Sequence, residues 1–374
     1  MTPDDLAAAV STLVSTLADE GAFRLDSVPD VRVERPKSRE HGDYATNVAL
    51  ALAKQTGMPP RELAGMLAQR LATVEGIASA EVAGPGFINV RLDSATQGGL
   101  ARTVVEAGPL WGHGTSLAGR VVNVEFISAN PTGPIHLGHT RWAAVGDAIA
   151  RVLAAAGATV AREFYINDRG VQMDRFGASV MAVAHGRPVP EDGYHGAYVV
   201  DLAAAVLAEQ PGIVDLPEDE QLAAFREVAY AVQLGQQQQV LALFGTRFDV
   251  WYSERSLHES GAVERGLDRL REQGHVFEQD GALWLRTTDF GDDKDRVLIK
   301  ADGDYTYFAT DTAYYVDKRA RGFDLAIYLL GADHHGYVNR LRAVAACAGD
   351  DMDDNIEVLI GQLVRSPRRG RRSN

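Results

Sequence analysis

Two histidines, His136 and His139, follow a stretch of chain that cannot continue as a strand. Residues 121–127 are rich in β-branched side chains and predict a buried strand, whereas residues 128–134 contain two prolines and a glycine. Helical periodicity begins at the histidines, so the segment predicts a strand, a tight loop and a helix, which is the arrangement of a nucleotide-binding βα unit. A spacing of three places both imidazoles on one face of the first helical turn, beside free backbone N–H groups that favour anions.

We therefore expect an anion site at the start of this helix, where the two imidazoles donate hydrogen bonds to triphosphate oxygens. Gly138 lies between the histidines and lacks a Cβ, so a flat purine or a phosphate can approach the helix backbone. By spacing alone, a surface pair of histidines and half of a metal site remain alternatives. The helix itself is indicated by apolar residues at helical spacing, namely Trp142, Val145, Ile149 and Val152.

Composition limits the class of protein. A length of 374 residues suggests two or three domains, and a formal net charge of −14 excludes a uniformly basic nucleic-acid coat while leaving local basic patches possible. The single Cys347 excludes an intrachain disulfide and a cysteine-based zinc cluster, which favours a reducing compartment. The amino terminus is acidic where a targeting peptide is basic, and no apolar run is long enough to cross a membrane. We expect a cytoplasmic protein with no membrane partner.

The segment from residue 129 to residue 139, ANPTGPIHLGH, resembles the HIGH signature of class I aminoacyl-tRNA synthetases in the long form found in arginyl-tRNA synthetases. Leu137 stands where the signature has isoleucine, which is one apolar residue for another. Other blocks resemble the same family in the same order, and together they extend the resemblance from residue 1 to about residue 364. These blocks are HGDYATN at 41–47, YINDRG at 165–170, YTYFATDTAY at 305–314 and GADHHGY at 331–337.

The resemblance implies an α/β fold, with a Rossmann-type class I synthetase catalytic domain that carries an insertion and follows a small α/β amino-terminal domain. We expect the amino-terminal, tRNA-contacting domain at residues 1–110, because a Gly-Pro pair and a glycine-rich stretch follow it. The catalytic domain is expected at residues 118–364, with its insertion at about 172–300. Residues 365–374 hold five arginines without apolar periodicity, and we expect a basic, disordered tail.

The implied reaction is that of an arginine tRNA ligase, in which the carboxylate of arginine attacks the α-phosphate of ATP and the arginyl group then passes to tRNA. His136 and His139 are the implied catalytic residues, because they would stabilise the charge that develops on the phosphates. Magnesium would travel with ATP as a substrate complex, and no tightly bound metal is expected. The implied ATP-binding residues are Asn130, Gly133, His136, Gly138, His139, Asp333 and His334.

Recognition of arginine requires anions that meet its planar guanidinium, whose donors pair best with carboxylates. Tyr307 and Asp311 are four apart and share a helix face, and the resemblance assigns the guanidinium to Asp311 and pocket closure to Tyr307. Without the resemblance, Ser128 could be a cap, Asn130 a turn residue and Glu125 an ion-paired carboxylate. A His pair at 334–335 would equally suit a metal. The implied arginine-binding residues are Glu125, Ser128, Asn130, Tyr307, Asp311 and His335.

For tRNA, cations that crowd the segment before a tyrosine and amides suit phosphate and base contacts. The expected tRNA-binding residues are Arg32, Lys37, Arg39, Tyr44 and Asn47, and the alternative is a solvated loop that runs into a helix cap. A second polar run, the glutamines at 236–239, is expected on an exposed helix face.

The sequence departs from the family after residue 364, where the second class I signature, Met-Ser-Lys, is absent, and the loop at 128–135 holds no lysine in compensation. The helical anticodon-binding domain is absent as well. We therefore expect an incomplete arginine tRNA ligase with reduced or no activity. Two alternatives remain: an enzyme that adenylates arginine for a non-tRNA acceptor, and a non-catalytic module that binds tRNA or arginine.

Overall fold

The computed structural model describes residues 1–25, 27–332, 336–362 and 364. Their contacts divide the chain into two units, Met1–Gly112 and His113–Asn374, and each is described here by itself. Within these residues, no helix combines the length and the apolar character needed to cross a membrane.

The first unit packs three helices against a four-stranded antiparallel sheet with strand order β1-β2-β4-β3. The first helix begins with a capping box, in which the Asp5 backbone N–H donates to Thr2 Oγ1 and the Thr2 N–H donates to the Asp5 carboxylate. Gly42 has φ +101°, and a Cβ there would lie 2.6 Å from the Val90 carbonyl oxygen, so the turn before β2 requires glycine. The elements are α1 (Pro3–Asp19), β1 (Val33–Glu34), β2 (Tyr44–Thr46), α2 (Val48–Thr56), α3 (Pro60–Leu71), β3 (Ile77–Ala83), β4 (Phe87–Leu92) and α4 (Ser94–Ala107).

The second unit is built on a five-stranded parallel sheet with strand order β12-β11-β5-β6-β7. The chain leaves β5 in one direction to β6 and β7, and later returns to the other side of β5 with β11. This reversal creates a crevice at the carboxyl ends of β5 and β11, where parallel α/β sheets bind ligands. The strands of this sheet are β5 (Val121–Glu125), β6 (Thr159–Ile166), β7 (Val250–Ser253), β11 (Leu325–Gly331) and β12 (Ile356–Gly361).

The predicted insertion, residues 172–300, contains strand β7 of this parallel sheet, which divides it into two segments. The first segment is helical, and the second carries a small antiparallel sheet of order β10-β9-β8. The helices of the unit are α5 (Thr140–Ala155), α6 (Val171–Ala184), α7 (Ala197–Glu209), α8 (Glu218–Leu243), α9 (Glu254–Glu259), α10 (Ala262–Glu272), α11 (Tyr307–Ala320) and α12 (Tyr337–Cys347). The three antiparallel strands are β8 (Val276–Gln279), β9 (Ala282–Leu285) and β10 (Arg296–Ile299).

Helix α5 approaches the sheet through small residues. A Cβ at Gly146 would lie 2.3 Å from the ring of Phe126, so glycine permits this close packing. The fully buried positions of the helix are Ala143, Gly146 and Ala150, whereas Val145 and Val152 of the predicted apolar set are exposed. Close approach to the sheet therefore selects small side chains over large ones along this face.

A buried charge cluster joins α11 to the sheet. Glu125 of β5 and Glu163 of β6 are direct neighbours in the strand register, so two like charges face each other. Lys318 of α11 is fully buried, and its Nζ lies 2.7 Å from Glu125 Oε2 and 3.6 Å from Glu163 Oε1. Arg321 adds a bidentate pair to Glu163 at 2.6 and 2.9 Å.

Three further hydrogen bonds complete this cluster. Asn123 accepts from Lys318 Nζ at 2.7 Å and donates to Glu163 at 3.0 Å, while the Tyr314 hydroxyl also donates to Glu163. Burial alone would raise the pKa of Glu163, but the charges of Lys318 and Arg321 outweigh it and lower the pKa to about 2. The carboxylate is therefore ionised wherever the protein is folded near neutral pH.

We expect Lys318→Met to lower the free energy of unfolding by about 3–5 kcal/mol, because two buried carboxylates would lose the cation between them. Arg151→Met is the matched control, since Arg151 pairs with Asp147 on the surface with its side chain 66% exposed and should cost less than about 1 kcal/mol. Urea denaturation of both variants measures the difference. Equal losses in the two variants would contradict the dependence of the sheet on this lysine.

Candidate active site

The loop after β5 begins with two strained residues. Ile127 and Ser128 have φ values of 71° and 42°, a region that residues with a Cβ rarely adopt and that β-branched residues avoid most. The turn aims Ser128 back at the sheet, where its Oγ donates to Glu125 Oε1 at 3.1 Å and accepts from the Tyr165 N–H at 3.2 Å. Hydrogen bonds to both β5 and β6 thus stabilise the strained backbone of this turn.

Glu125 and Ser128, two of the predicted arginine-binding residues, therefore lie in direct contact. Both carboxylate oxygens of Glu125 are already engaged, one by Ser128 and the other by Lys318. The ion-paired alternative for Glu125 is what the structure shows. A ligand ammonium at this point would share the carboxylate with these partners.

His136 and His139 lie together, with ring centroids 4.0 Å apart. The prediction that they open an α-helix requires correction, because residues Leu137–His139 form a 3₁₀ turn and α5 begins at Thr140. The expectation of free N–H groups beside them is also wrong for three residues of this turn. The Gly138 N–H donates to His136 Nδ1 at 3.0 Å, the His136 N–H donates to His139 Nδ1 at 3.3 Å, and the His139 N–H donates to the His136 carbonyl at 2.9 Å.

These hydrogen bonds determine what the imidazoles can do. A ring nitrogen that accepts a hydrogen bond carries no proton, so in both neutral rings the proton lies on Nε2, which can donate to a ligand. Burial lowers the pKa of His139 to about 4, and the positive charge of His136 contributes in the same direction. His139 is therefore a neutral hydrogen-bond donor at pH 7.

An apolar cavity of about 290 Å³ opens beside the two rings. Its walls come from the loop, the start of α5 and the end of α8, and its shape and apolar lining suit a flat base. It is lined by Ile135, His136, Leu137, His139, Thr140, Ala143, Val240, Leu241 and Phe244.

A second group of residues forms an acidic cluster. The Asp311 carboxylate, on α11, accepts a hydrogen bond from the Tyr337 hydroxyl at 3.0 Å. Burial, together with the charges of Glu254 and Glu125, raises the pKa of Asp311 to about 6, because the hydrogen bond from Tyr337 and the charge of Arg340 offset only part of this effect. Elevation of this kind marks a carboxylate whose burial is not compensated by an ion pair.

Glu254, at the start of α9, has the same character. It is 7% exposed, and burial raises its pKa, with a further contribution from the charge of Asp168. Within the described part of the chain, neither Glu254 nor Asp311 forms an ion pair. The Tyr165 hydroxyl donates to Glu254, and its pKa is raised by burial and by the charges of Glu254, Asp311 and Glu125. Tyr165 thus lies among three carboxylates that together favour a bound cation.

Tyr307 is largely exposed to solvent. It begins α11 with 83% of its surface exposed and lines a cavity of about 480 Å³ together with Asn167, Arg169 and Tyr194. Its predicted role in closing the arginine pocket remains a proposal. The Arg169 guanidinium points to His258, with Nη1 3.0 Å from Nε2.

A larger cavity of about 720 Å³ lies near the carboxyl ends of β6 and β7, away from the histidine pair. Two of its arginines already have acidic partners, Arg226 with Asp174 at 2.7 Å and Arg255 with Glu227 at 2.6 Å. Its size alone therefore does not make it the reaction site.

The remaining predicted residues of this unit fall in three places. Asn130 is exposed at the tip of the loop, and a Cβ at Gly133 would lie 3.8 Å from the Tyr198 hydroxyl. Asp333, His334 and His335 lie outside the described residues. No group of His, Cys, Asp and Glu that could hold a metal ion occurs among the residues that are described.

The predicted tRNA-binding residues of the first unit are divided by burial. Arg32, Lys37 and Asn47 are exposed, and the side chain of Arg39 lies outside the description. Tyr44 requires correction, because it is 4% exposed within the core of this unit and its ring is not available to stack on a base. The Asn47 side chain makes no cap hydrogen bond, so its amide is not used by the helix that follows.

Sequence reasoning missed five residues that shape the site: Tyr165, Gln237, Glu254, Lys318 and Tyr337. Tyr165 and Tyr337 stand within blocks that resembled the family, which was a usable signal. Lys318 lies four residues beyond a third block, on the face of α11 that carries Asp311 and Tyr314 at helical spacing. Glu254 and Gln237 carried no such signal, since their roles come from packing.

We expect the imidazole of His139 to titrate near pH 4 and to carry its proton on Nε2 at pH 7. His136→Ala should raise the pKa of His139, because a nearby positive charge is removed, but burial should keep it below the ordinary imidazole value of roughly 6.5. Nitrogen-detected NMR titration of the wild type and the variant measures both properties. A His139 that titrates at the ordinary value in the wild type would contradict the described burial.

Comparison with known proteins places this geometry in a family. The family model described as the arginyl tRNA synthetase N terminal domain matches residues 4–92, and the model described as tRNA synthetases class I (R), catalytic domain, matches residues 112–192 and 213–358. The arginine–tRNA ligases of Paenarthrobacter aurescens and Micrococcus luteus are each 58% identical to the chain. Each alignment covers 97% of this chain, and 67% and 66% of those proteins respectively.

The chain thus spans about two thirds of the length of the curated relatives it matches. The solved structure of Thermus thermophilus arginyl-tRNA synthetase is similar with a TM-score of 0.61 over 97% of this chain and 66% of that one, at 24% identity, which supports the fold. The predicted family and the predicted α/β fold class are confirmed. With both domain models matched in order and relatives 58% identical along nearly its whole length, the chain belongs to the arginyl-tRNA synthetases, a family of class I aminoacyl-tRNA synthetases whose reaction depends on ATP.

Proposed function

We propose that this chain binds ATP and arginine in the crevice at the carboxyl ends of β5 and β11, and that it catalyses arginine activation with transfer to tRNA. The observation that carries the proposal is the pair of carboxylates, Asp311 and Glu254, that form no ion pair among the described residues, together with a loop that offers two Nε2–H donors. One part of the site thus offers unpaired carboxylates to a cation, and the other offers donors to an anion. Arginine and ATP supply these two charges.

In this proposal the guanidinium of arginine binds to Asp311. A planar guanidinium can donate two parallel hydrogen bonds to one carboxylate, whereas the ammonium of lysine makes only point contacts. Glu254 and Glu125 add negative charge that holds the cation, and Ser128 and Asn130 offer polar groups toward the amino-acid backbone. Tyr307 is proposed to close the pocket and His335 to border it, as the family resemblance implies.

ATP is proposed to lie along the loop, with its base in the cavity beside His136 and His139 and its phosphates against the Nε2–H groups. Two Nε2–H donors can follow the charge that develops on the α-phosphate. Magnesium accompanies the triphosphate as part of the substrate, as the sequence predicted. Gly133, Gly138, Asp333 and His334 complete the proposed ATP set.

The tRNA is proposed to contact Arg32, Lys37 and Asn47 of the first unit, together with Arg39, whose cationic side chain suits a phosphate. Charging of tRNA requires ATP, amino acid and tRNA in one compartment, so we propose that the protein acts in the cytoplasm. Because the sequence holds no Met-Ser-Lys signature, we expect the 374-residue chain by itself to form little arginyl-tRNA.

Arginine-dependent exchange of pyrophosphate into ATP tests the proposed reaction. Exchange that needs tRNA supports the tRNA ligase, exchange without tRNA favours an arginine-adenylating enzyme, and binding without exchange favours a binding module. His136→Ala/His139→Ala should weaken ATP binding or lower exchange by about 10²-fold or more, because preorganised donors are lost. His195→Ala, which alters an exposed histidine, should change neither. Unchanged ATP affinity and exchange in the double variant would contradict the ATP site.

Asp311 makes arginine binding depend on pH. Its pKa lies near 6, so the carboxylate takes up a proton as the pH falls from 7 to 5 and loses the charge that holds the guanidinium. We expect arginine affinity to fall by about tenfold over this range, and lysine to bind more weakly than arginine throughout. Calorimetric titration at several pH values measures both effects.

Asp311→Asn should weaken arginine binding at pH 7 and flatten its dependence on pH, whereas Asp201→Asn, at an exposed carboxylate of α7, should leave both unchanged. Equal affinities for arginine and lysine, or the same pH dependence in the Asp311→Asn variant as in the wild type, would refute the assignment of this carboxylate.

A further inference from the structure

The loop before the histidine pair cannot form, within itself, all the hydrogen bonds that its backbone groups require. Pro131 and Pro134 have no N–H, and the segment between β5 and the 3₁₀ turn is neither helix nor strand. Thr132 is nevertheless 5% exposed, so part of the loop is buried. Buried carbonyl groups need donors, and here the donors must come from elsewhere in the chain.

They come from two helices of the helical segment that follows β6. Gln237 of α8 donates through Nε2 to the Asn130 carbonyl at 3.0 Å and to the Gly133 carbonyl at 2.7 Å. The Tyr198 hydroxyl of α7 donates to the Thr132 carbonyl at 3.1 Å. Three carbonyls within four residues are therefore held by side chains 66 to 107 positions away in sequence.

Gln237 is completely buried, although it lies in the run of glutamines for which the sequence predicted an exposed face. The prediction is wrong here because α8 packs on the loop: Leu241, Leu234 and Ile135 share one apolar cluster. Only the helix periodicity, combined with the partner surface, distinguishes this glutamine from its neighbours.

The Gln237 side chain is not simply a means of filling space. Its Oε1 is buried and has no hydrogen-bond partner within the part of the chain that the structure describes, which is unfavourable. Methionine or leucine would fill a similar volume without that cost, but it would leave the Asn130 and Gly133 carbonyls without their donor. The function that glutamine adds at this position is therefore the pair of hydrogen bonds to the loop.

We propose that Gln237, assisted by Tyr198, is a positioning residue for arginine activation: it fixes the loop at Asn130–Gly133 and thereby sets where His136 and His139 meet the phosphates of ATP. His136 follows Gly133 by three residues, so a displaced Gly133 displaces the histidine pair. The inference rests on the proposed function for its link to catalysis, whereas the loop geometry can be tested without it.

The experiment compares Gln237→Met with Gln233→Met in the 374-residue chain. Gln233 is one turn earlier on α8, is 1% exposed, and its Nε2 has no hydrogen-bond partner among the described residues, so its replacement controls for volume and burial. Melting temperature, the imidazole NMR signals of His136 and His139, ATP affinity by calorimetry, and the kcat and KM of arginine-dependent exchange are measured for each.

We expect Gln237→Met to shift the imidazole signals, to weaken ATP binding severalfold, and to lower kcat at least tenfold while the KM for arginine changes less than twofold. Gln233→Met should match the wild type in melting temperature, imidazole signals, ATP affinity and exchange kinetics. If the wild type shows no exchange, the proposed function fails, but the imidazole signals still decide whether Gln237 holds the loop.

Unshifted imidazole signals with unchanged ATP affinity in a folded Gln237→Met chain would overturn the proposal. If that variant does not fold, Tyr198→Phe replaces it, because this change removes one hydroxyl and leaves the ring. A Tyr198→Phe variant that keeps the melting temperature of the wild type but shows shifted imidazole signals and a twofold to tenfold loss of kcat supports the proposal. Unchanged signals and kcat in Tyr198→Phe would refute a positioning role for these hydrogen bonds.

Discussion

The Lys318 ammonium, placed between Glu125 and Glu163, is the interaction on which the catalytic unit depends. The parallel register of β5 and β6 sets these two carboxylates opposite each other inside the protein, and without a cation they would repel. The lysine that separates them belongs to α11, a helix that follows the helical segment and the small antiparallel sheet. One buried cation thus fixes the strand pair, the helix and the face that the helix presents to the crevice.

Helix α11 also carries Asp311, whose pKa is shifted in the opposite direction to that of Glu163. Glu163 is surrounded by Lys318 and Arg321, and its pKa is lowered to about 2, whereas burial and neighbouring acids raise the pKa of Asp311 to about 6. The first carboxylate is satisfied within the protein. The second is buried with no cation paired to it among the described residues, and a cationic ligand would relieve that cost. This contrast, rather than the number of acidic residues, separates the structural carboxylate from the one that we propose to bind arginine.

Hydrogen bonds that support the loop before the histidine pair come from outside the βα unit that contains it. The loop contains two prolines and two residues with positive φ, so it does not form regular backbone hydrogen bonds. Side chains of α7 and α8 supply the missing hydrogen-bond donors. The segment between β6 and β7 therefore serves the site as well as extending the fold. Its helices could be expected from periodicity, but which of four consecutive glutamines turns inward depends on the surface that α8 meets.

The sequence by itself determined the local features: the strand and loop that precede the histidines, the helix that follows them, and the position of Tyr307 and Asp311 on one helix. Each depends on residues within a few positions of each other, so spacing suffices to predict it. Only the tertiary structure decided that Tyr44 belongs to a core, that β7 joins the parallel sheet, and that Lys318 reaches Glu125 across 193 positions. These outcomes depend on which surfaces meet, and burial then changes the charge state and the available hydrogen bonds of residues whose types were visible from the start.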